Sequence, residues 1–320
     1  MGALHMRYPA YNVVGVRSVL AQLAPEALAL TPLPPDFRQT RWQDTPELAL
    51  PLTVIPWAEQ QSVPVYGVFE PSPDPAALDD FRRYANEYPQ VQQQLAAVDA
   101  HLRPLHELLS RPLTLARILD EVLPLLRNHQ EAREQMFEDG PATDWLRIRT
   151  EQMAARILGI EAEKVAVLAS AEQLPFLQDA LSGKAELVMP SAPQADEASR
   201  ERALLDFAFI GEPPEPGNLI AKLRELDVPE ARYHEANLLL ANAHVAEALN
   251  VLEDLSRGDF SKPYYLPGFV LARLGQLYDL VDKREAALKC YRGVLALSYA
   301  PFAALASAEA GLVKPFSGDV

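Results

Sequence analysis

Short apolar runs alternate with longer amphipathic segments along the first two thirds of the chain. Apolar runs of strand length occupy residues 12–16, 27–30, 63–69, 165–169 and 186–189. The segments between them show helical spacing, and the longest, at about 76–157, exceeds a single crossover. Buried apolar runs joined by helices are typical of a mainly parallel sheet. The pattern predicts an α/β domain whose long helical segment forms a cap over one end of the sheet.

One strand, turn and helix can be followed in the stretch KVAVLASAEQLPFLQDAL at 164–181. An apolar run comes first, a small polar break follows, and leucines then recur at helical spacing. In open α/β sheets, ligands bind in the loops that follow the carboxyl ends of strands. Glu172 and Gln173 lie in this break, so they are candidate pocket residues.

Proline-rich sequence separates this region from the last third of the chain. The stretches MPSAPQ and GEPPEPG flank one helical patch, which is typical of a domain boundary. An alternative is a helix and loop still packed on the first domain. We expect an α/β domain at 6–190, a linker region at 191–216 and an all-helical domain at 217–320. Residues 1–5 look like a cloning remnant before a natural start at Met6.

The last third has a nearly repeating helical pattern. Its second segment, from residue 268, resembles a tetratricopeptide repeat. The residues at the expected packing positions are Leu274, Gly275, Tyr278, Ala287 and Tyr291, with Pro301 after them. The resemblance implies antiparallel helix pairs that stack on one another and present a groove to a protein or peptide partner.

Composition excludes several classes of protein. The formal net charge of −15 argues against a nucleic-acid partner, because phosphate binding requires an excess of Lys and Arg. No apolar run approaches the roughly 20 residues of a membrane span, and no signal peptide is evident. The single cysteine, Cys290, fits a reducing cytoplasm and excludes a cysteine-rich zinc site. We therefore expect a cytoplasmic protein that binds no membrane.

Familiar catalytic and cofactor motifs are absent from the sequence. None of the six histidines has a metal-ligand spacing, and no nucleophile elbow, Walker loop or dinucleotide fingerprint occurs. With 14 glycines in all, a phosphate-cradling loop is not expected. The sequence predicts no metal and no cofactor.

The order of motifs in the first domain resembles the Tiki/TraB-type superfamily of hydrolase-like proteins. The stretches that carry the resemblance, within about 12–182, are VVGVRSVLAQLAPEALAL, SVPVYGVFE, RIRTEQMAARI and KVAVLASAEQLPFL. In that family a first strand carries GxxH, and the next strand ends in an acidic residue. A later helix carries an ERN or ERD motif, and the last motif is GAxH before a leucine-rich helix.

The histidines and the acid of that pattern are replaced here. Ser18 stands for the first histidine, Thr31 for the acid and Gln173 for the second histidine, and Arg149 alone remains of the ERN motif. Metal or general-base chemistry in such a pocket requires imidazole and carboxylate groups. The resemblance therefore implies a degenerate site. The candidate pocket residues are Arg17, Ser18, Thr31, Glu70, Arg149, Glu172 and Gln173.

Three functions are compatible with these residues. The favoured one is a non-catalytic interaction or scaffold protein, which joins a degenerate hydrolase-like domain to a partner-binding helical array. The second is an active hydrolase with a rewired site, in which Arg17 and Arg149 hold an anionic or ester substrate and Glu70 or Glu172 acts as acid or base. The third is a small-molecule-binding protein.

Overall fold

The computed structural model describes residues 8–45, 47–69, 75–137, 145–210 and 216–318. The chain divides into two units, the first ending at Ser199 and the second beginning at Arg200. The division falls inside a helix, Glu197–Ile210, so a helix begins within the region expected to be a linker.

A three-stranded parallel sheet lies in the first unit. Its strands are β1 (Ala27–Leu30), β2 (Val65–Gly67) and β3 (Val165–Leu168), in the order β2-β1-β3. Leu28 pairs with Val65 on one side of β1, and Ala29 pairs with Val167 on the other. Three of the five predicted strands are therefore confirmed, and the sheet is parallel as expected.

The other two predicted strands are wrong. Residues 12–16 belong to a helix, α1 (Val13–Leu23), because the Asn12 side chain accepts hydrogen bonds from the backbone N–H groups of Val14 and Gly15 and caps the first turn. Residues 186–189 form no strand, and the side chain of Val188 is 67% exposed. An apolar run forms a strand when its side chains are buried against neighbours, and residues 186–189 are not buried in this way.

Alternate residues of β1 point into two different cores, as the two-residue period of a strand requires. Leu28 and Leu30 pack in one core with Phe37 and Ile55. Ala29 packs in the other core, which contains residues of two helices that flank β3. Every β1 side chain is buried, and each leucine contributes about 1.5–3 kcal/mol of hydrophobic stabilisation.

Helices supply the rest of the first unit. A π-helical turn, Leu50–Val54, leads into α2, and a second one, Ile118–Val122, joins α6 to α7. After α1, the α-helices are α2 (Ile55–Gln61), α3 (Pro75–Glu87), α4 (Pro89–Asp99), α5 (Arg103–Leu109), α6 (Leu115–Arg117), α7 (Leu123–Met136), α8 (Trp145–Leu158) and α9 (Leu174–Leu181). Where it is described, the segment predicted as a long helical excursion is mainly helical, and part of it forms a third core around Leu105, Leu113 and Val122.

The second unit is entirely helical where it is described. Its helices are α10 (Glu197–Ile210), α11 (Pro216–Glu225), α12 (Pro229–Ala241), α13 (Val245–Leu255), α14 (Leu266–Leu280), α15 (Arg284–Ala296) and α16 (Phe302–Val313). Its helix pairs match the predicted helical hairpins. No helix in the described ranges is both long and apolar enough to cross a membrane.

The hairpins α12–α13 and α14–α15 have the same turn. Ala243 and Asp282 both adopt left-handed backbone conformations, with φ of 62° and 58°. The residue after each donates its N–H to a carbonyl five positions earlier, His244 to Leu239 and Lys283 to Tyr278. Equal turns give the two hairpins the same local geometry, which supports an internal repeat.

Candidate functional site

Thr31 and Gln173, two of the predicted pocket residues, meet at the carboxyl end of the sheet. Thr31 directly follows β1, and its N–H donates to the carbonyl of Leu168 at the end of β3. Its Oγ1 donates to Gln173 Oε1 over 2.7 Å, and the two residues are 0% and 9% exposed. Hydroxyl and amide groups do not titrate near neutral pH. The contact therefore satisfies two buried polar groups without creating an acid or a base.

Arg17 and Ser18 occupy different positions from those implied by the resemblance. Both lie in the middle of α1, so neither follows a strand. Arg17 is exposed and Ser18 is half-buried. Because α1 replaces the expected first strand, the expectation that Ser18 lies at a strand end is wrong.

The remaining predicted residues are on separate elements. Arg149, in α8, places its guanidinium carbon 5.6 Å from the centroid of the Phe69 ring, and burial lowers its pKa. Glu172 is exposed in the turn before α9. Glu70 lies outside the described residues. The structure thus brings Thr31 and Gln173 together, and leaves Arg17 and Glu172 at exposed positions of different elements.

A cavity of about 250 Å³ opens beside this sheet end. Its walls come from the first half of α1, from residues 47–50 and from residues 167–170, which end β3 and begin the following turn. Parallel strands direct their carboxyl ends to one edge of a sheet, and this edge is where α/β proteins bind ligands. None of the six predicted pocket residues that the structure describes is among those that line the cavity.

Two ionisable side chains, Glu47 and Tyr11, line the cavity. Burial raises the pKa of the Glu47 carboxyl above its usual value. Burial, followed by the charge of Glu47, raises the pKa of the Tyr11 phenol. Perturbed acids in clefts are candidates for functional groups. The sequence analysis identified neither residue. The feature that could have indicated Glu47 is its position as a single acidic residue directly before the apolar run LALPL.

A metal centre finds no support in the described part of the chain. There, no group of three or more His, Cys, Asp or Glu side chains is arranged to hold an ion. A catalytic zinc site typically uses three protein ligands and a water molecule.

Gly275, one of the predicted packing positions of the repeat, lies against the ring of Tyr291, another of them. Tyr291 is completely buried, and a Cβ placed on Gly275 or on Gly311 would lie less than 3.0 Å from its ring atoms. Ala287 is also completely buried, and Leu274 is 3% exposed. Glycine at both contacts lets α14 and α16 approach the ring of a residue in α15. The close packing predicted for Gly275 is therefore present.

Asp279 joins the C-terminal helices of the second unit. Its carboxylate side chain has no exposed surface and accepts hydrogen bonds from Arg284 Nη1, Tyr291 Oη and the N–H of Phe316, at 2.9–3.0 Å. Arg284 also donates to the carbonyl of Gly311 over 2.6 Å. Tyr278 Oη, another packing position, donates to Glu253 across the α13–α14 pair. Hydrogen bonds thus join α13 to α14, and join α14 to α15 and to the segment after α16.

A second buried ionic network centres on Glu230 in α12. Arg202 binds both Glu230 oxygens at 2.7 and 2.8 Å, Tyr265 Oη donates to Oε1, and His234 Nε2 lies 3.7 Å from Oε1. Burial by itself raises the pKa of Glu230, but His234 and Arg202 outweigh it and lower the pKa to about 2. Burial raises the pKa of Asp206, which also contacts Arg202. The network holds α10 and α12 together.

One exposed face of α16 is mostly apolar and also carries the exposed Glu309. Phe302, Ala306, Ala310 and Val313 follow one another at spacings of four, four and three residues, which place them on one side of a helix. Phe302 is 62% exposed and Val313 is 88% exposed. The opposite face, with Ala304 and other buried residues, packs in the core of the array.

Comparisons with protein-family models, with curated proteins and with solved structures find no match for this chain.

Proposed function

We propose that this chain is a non-catalytic scaffold whose helical array binds a protein partner along the outward face of α16. The observation that carries the proposal is the exposure of Phe302 and Val313, on one side of a helix whose other side is packed. Exposed apolar surface of this kind marks interaction sites, because its burial against a partner is favourable at about 25 cal/mol per Å². The small side chains of Ala306 and Ala310 between them allow a partner helix to approach closely.

The sheet end of the first unit supports the non-catalytic part of the proposal. Thr31 and Gln173 use their polar groups on each other in the position where the resemblance implies an acid and a histidine. The rewired hydrolase would require Arg17, Arg149 and the glutamates around one pocket. Arg17 and Glu172 are exposed on different elements, and the described cavity is lined by neither.

The test compares partner capture by matched surface variants. Phe302→Asp combined with Val313→Asp adds two charges to the α16 face, and Leu187→Asp combined with Val188→Asp adds two charges to another exposed apolar stretch. All four side chains are at least 45% exposed, so both variants should fold, and thermal melting of each variant checks this. Proteins captured from an extract of the source cells are quantified by mass spectrometry. Purified candidates are then titrated against the three chains.

The proposal expects a partner that binds the parent and the control variant equally and binds the α16 variant at least about tenfold more weakly. Equal binding to all three chains would exclude the α16 face. Sedimentation of the pure parent chain tests whether two copies of the chain pair with each other. A self-dimer that the α16 substitutions dissociate would show that the face pairs two copies, which contradicts a distinct partner.

A further inference from the structure

We propose that the cavity beside the sheet binds a small organic ammonium ion, with the Glu47 carboxylate as its counter-ion and aliphatic walls around its carbon skeleton. The site uses residues of the first unit alone. It is therefore independent of partner binding by α16 in the second unit.

The walls have the composition of a ligand pocket. Val16 and Val19 of α1, Leu50 and Val167 supply apolar surface, and Glu47 supplies a single charged group. Small-molecule sites combine mostly apolar walls with a few placed polar groups. At roughly 30 Å³ per water molecule, the cavity holds about eight waters. A compact ligand fits this space.

The charge of the lining selects a cation. Among the described lining residues, Glu47 and Tyr11 are the ionisable ones, and none is a lysine, an arginine or a histidine. An anion would therefore lie beside a carboxylate, and no described lining residue has a positive side chain to offset it. A bound cation favours the charged form of a buried carboxyl group, which burial otherwise disfavours. The net charge of −15 also attracts cations to the protein.

The oxygen and nitrogen donors present favour an organic cation over a metal ion. The described residues contain no group of three or more metal-ligating side chains. Asn12, which also lines the cavity, uses its Oδ1 to cap α1 and its Nδ2 to bond the carbonyl of Ser199. The aromatic ring of Tyr11 can face an ammonium group, which it attracts through its π electrons.

The experiment titrates the full chain with three probes of one shape. They are 2-phenylethylamine, its alcohol analogue 2-phenylethanol and its acid analogue 3-phenylpropanoate, with butylamine as a smaller amine. Isothermal titration calorimetry is carried out up to about 10 mM of each probe. We expect saturable one-to-one binding of at least one amine. The alcohol and the acid should bind at least about tenfold more weakly than 2-phenylethylamine.

Three variants locate the site. Glu47→Gln keeps the shape of the side chain and should weaken amine binding at least about tenfold. Glu172→Gln removes an exposed carboxylate outside the cavity and should bind like the parent. Ala49→Leu fills the cavity from a buried wall position and should abolish binding while Glu47 remains. Thermal melting checks that each variant is folded, and methyl NMR signals of Val16 and Val19 should shift when the amine binds to the parent.

Several results would overturn the proposal. They are the absence of saturable binding by both amines, equal affinity for the amine and the alcohol, and unchanged amine binding by folded Glu47→Gln. Loss of binding in Glu172→Gln would place the amine elsewhere on the chain.

Discussion

The Thr31 hydroxyl donates a hydrogen bond to the Gln173 side-chain oxygen, and this 2.7 Å contact joins the ends of β1 and β3 through two buried side chains. The two residues are far apart in the chain, and they stand at the positions where the resemblance implies an acid and a histidine. The carboxyl edge of the sheet thus contains a structural polar pair.

Removing the hydroxyl should destabilise the first unit. Thr31→Val leaves the Gln173 oxygen buried without its donor, so the free energy of unfolding should fall by about 1–3 kcal/mol. Gln173→Leu in the Thr31→Val background removes the orphaned group and should recover part of this loss. Urea unfolding of the parent, both single variants and the double variant gives a coupling energy, expected to be about 1 kcal/mol or more. Strict additivity would show that the contact adds nothing.

The same sheet end should bind no transition metal. Ser18, Thr31 and Gln173 stand where the resemblance implies histidines and an acid, and Ser18 lies within α1, away from the ends of the described strands. We expect elemental analysis of the untagged protein to find no stoichiometric zinc, manganese or cobalt. Gln173→Ala serves as the control. If the parent chain holds one metal ion and Gln173→Ala holds none, the result would support a metalloenzyme and contradict this prediction.

Close packing at Gly275 should make the second unit sensitive to a single methyl group. In Gly275→Ala the new Cβ meets the buried Tyr291 ring, and overpacking of this kind typically lowers stability by about 1–3 kcal/mol, more than the gain of about 1 kcal/mol in helix propensity. Gly217→Ala, in α11, is the matched control because no atom lies within 4 Å of its added Cβ. Thermal unfolding should show a lower Tm for Gly275→Ala and an equal or higher Tm for Gly217→Ala. The reverse order would contradict the role given to Gly275.

Acid should remove the stabilisation due to Glu230. Its folded pKa of about 2 lies below the ordinary value of 4.5, so its contribution is fully present above pH 4.5 and is lost as the pH falls towards 2. Over that interval the shift corresponds to about 3 kcal/mol. Glu230→Gln should therefore be much less stable than the parent near pH 7, where it leaves Arg202 with a neutral partner. The difference between the two should shrink below pH 4.5.

Asp206→Asn provides the control for this pH dependence. Burial raises the folded pKa of Asp206, so its protonation on acidification favours the folded state. The stability of Asp206→Asn relative to the parent should therefore fall as the pH falls, whereas that of Glu230→Gln should rise. Urea unfolding at several pH values between about 7 and 3 measures both differences. A gap between parent and Glu230→Gln that is constant with pH would show that Glu230 is not the group that titrates.

Local sequence was enough to identify β1, β2, β3 and the helix pairs of the last third, because apolar runs and helical periodicity are properties of neighbouring residues. The error at residues 12–16 has a local cause: a polar cap, Asn12, decides between helix and strand for a run that contains two valines. The error at residues 186–189 is tertiary, since an apolar run becomes a strand only where another strand is available to pair with it.

The residues of the candidate site also divide into those that local sequence identifies and those that depend on long-range contacts. Thr31 and Gln173 were identified because each directly follows an element of the motif order. Glu47 and Tyr11 were missed because no short-range pattern brings a loop acid and a tyrosine to the end of a distant sheet. They are candidates because they line one cavity and because burial raises the pKa of Glu47, and both features depend on long-range contacts in the fold.

The position of β1 in the middle of the sheet has a consequence for the order of folding. Its partner β3 is synthesised more than a hundred residues later, so the two cores that β1 joins cannot close until most of the first unit has left the ribosome. The helix hairpins of the second unit, in contrast, join segments that are adjacent in the chain. Folding rates fall as the sequence separation of native contacts grows. After dilution from denaturant, the helical array should therefore form first and the sheet last, and nascent chains should expose the apolar β1 segment longest to chaperones.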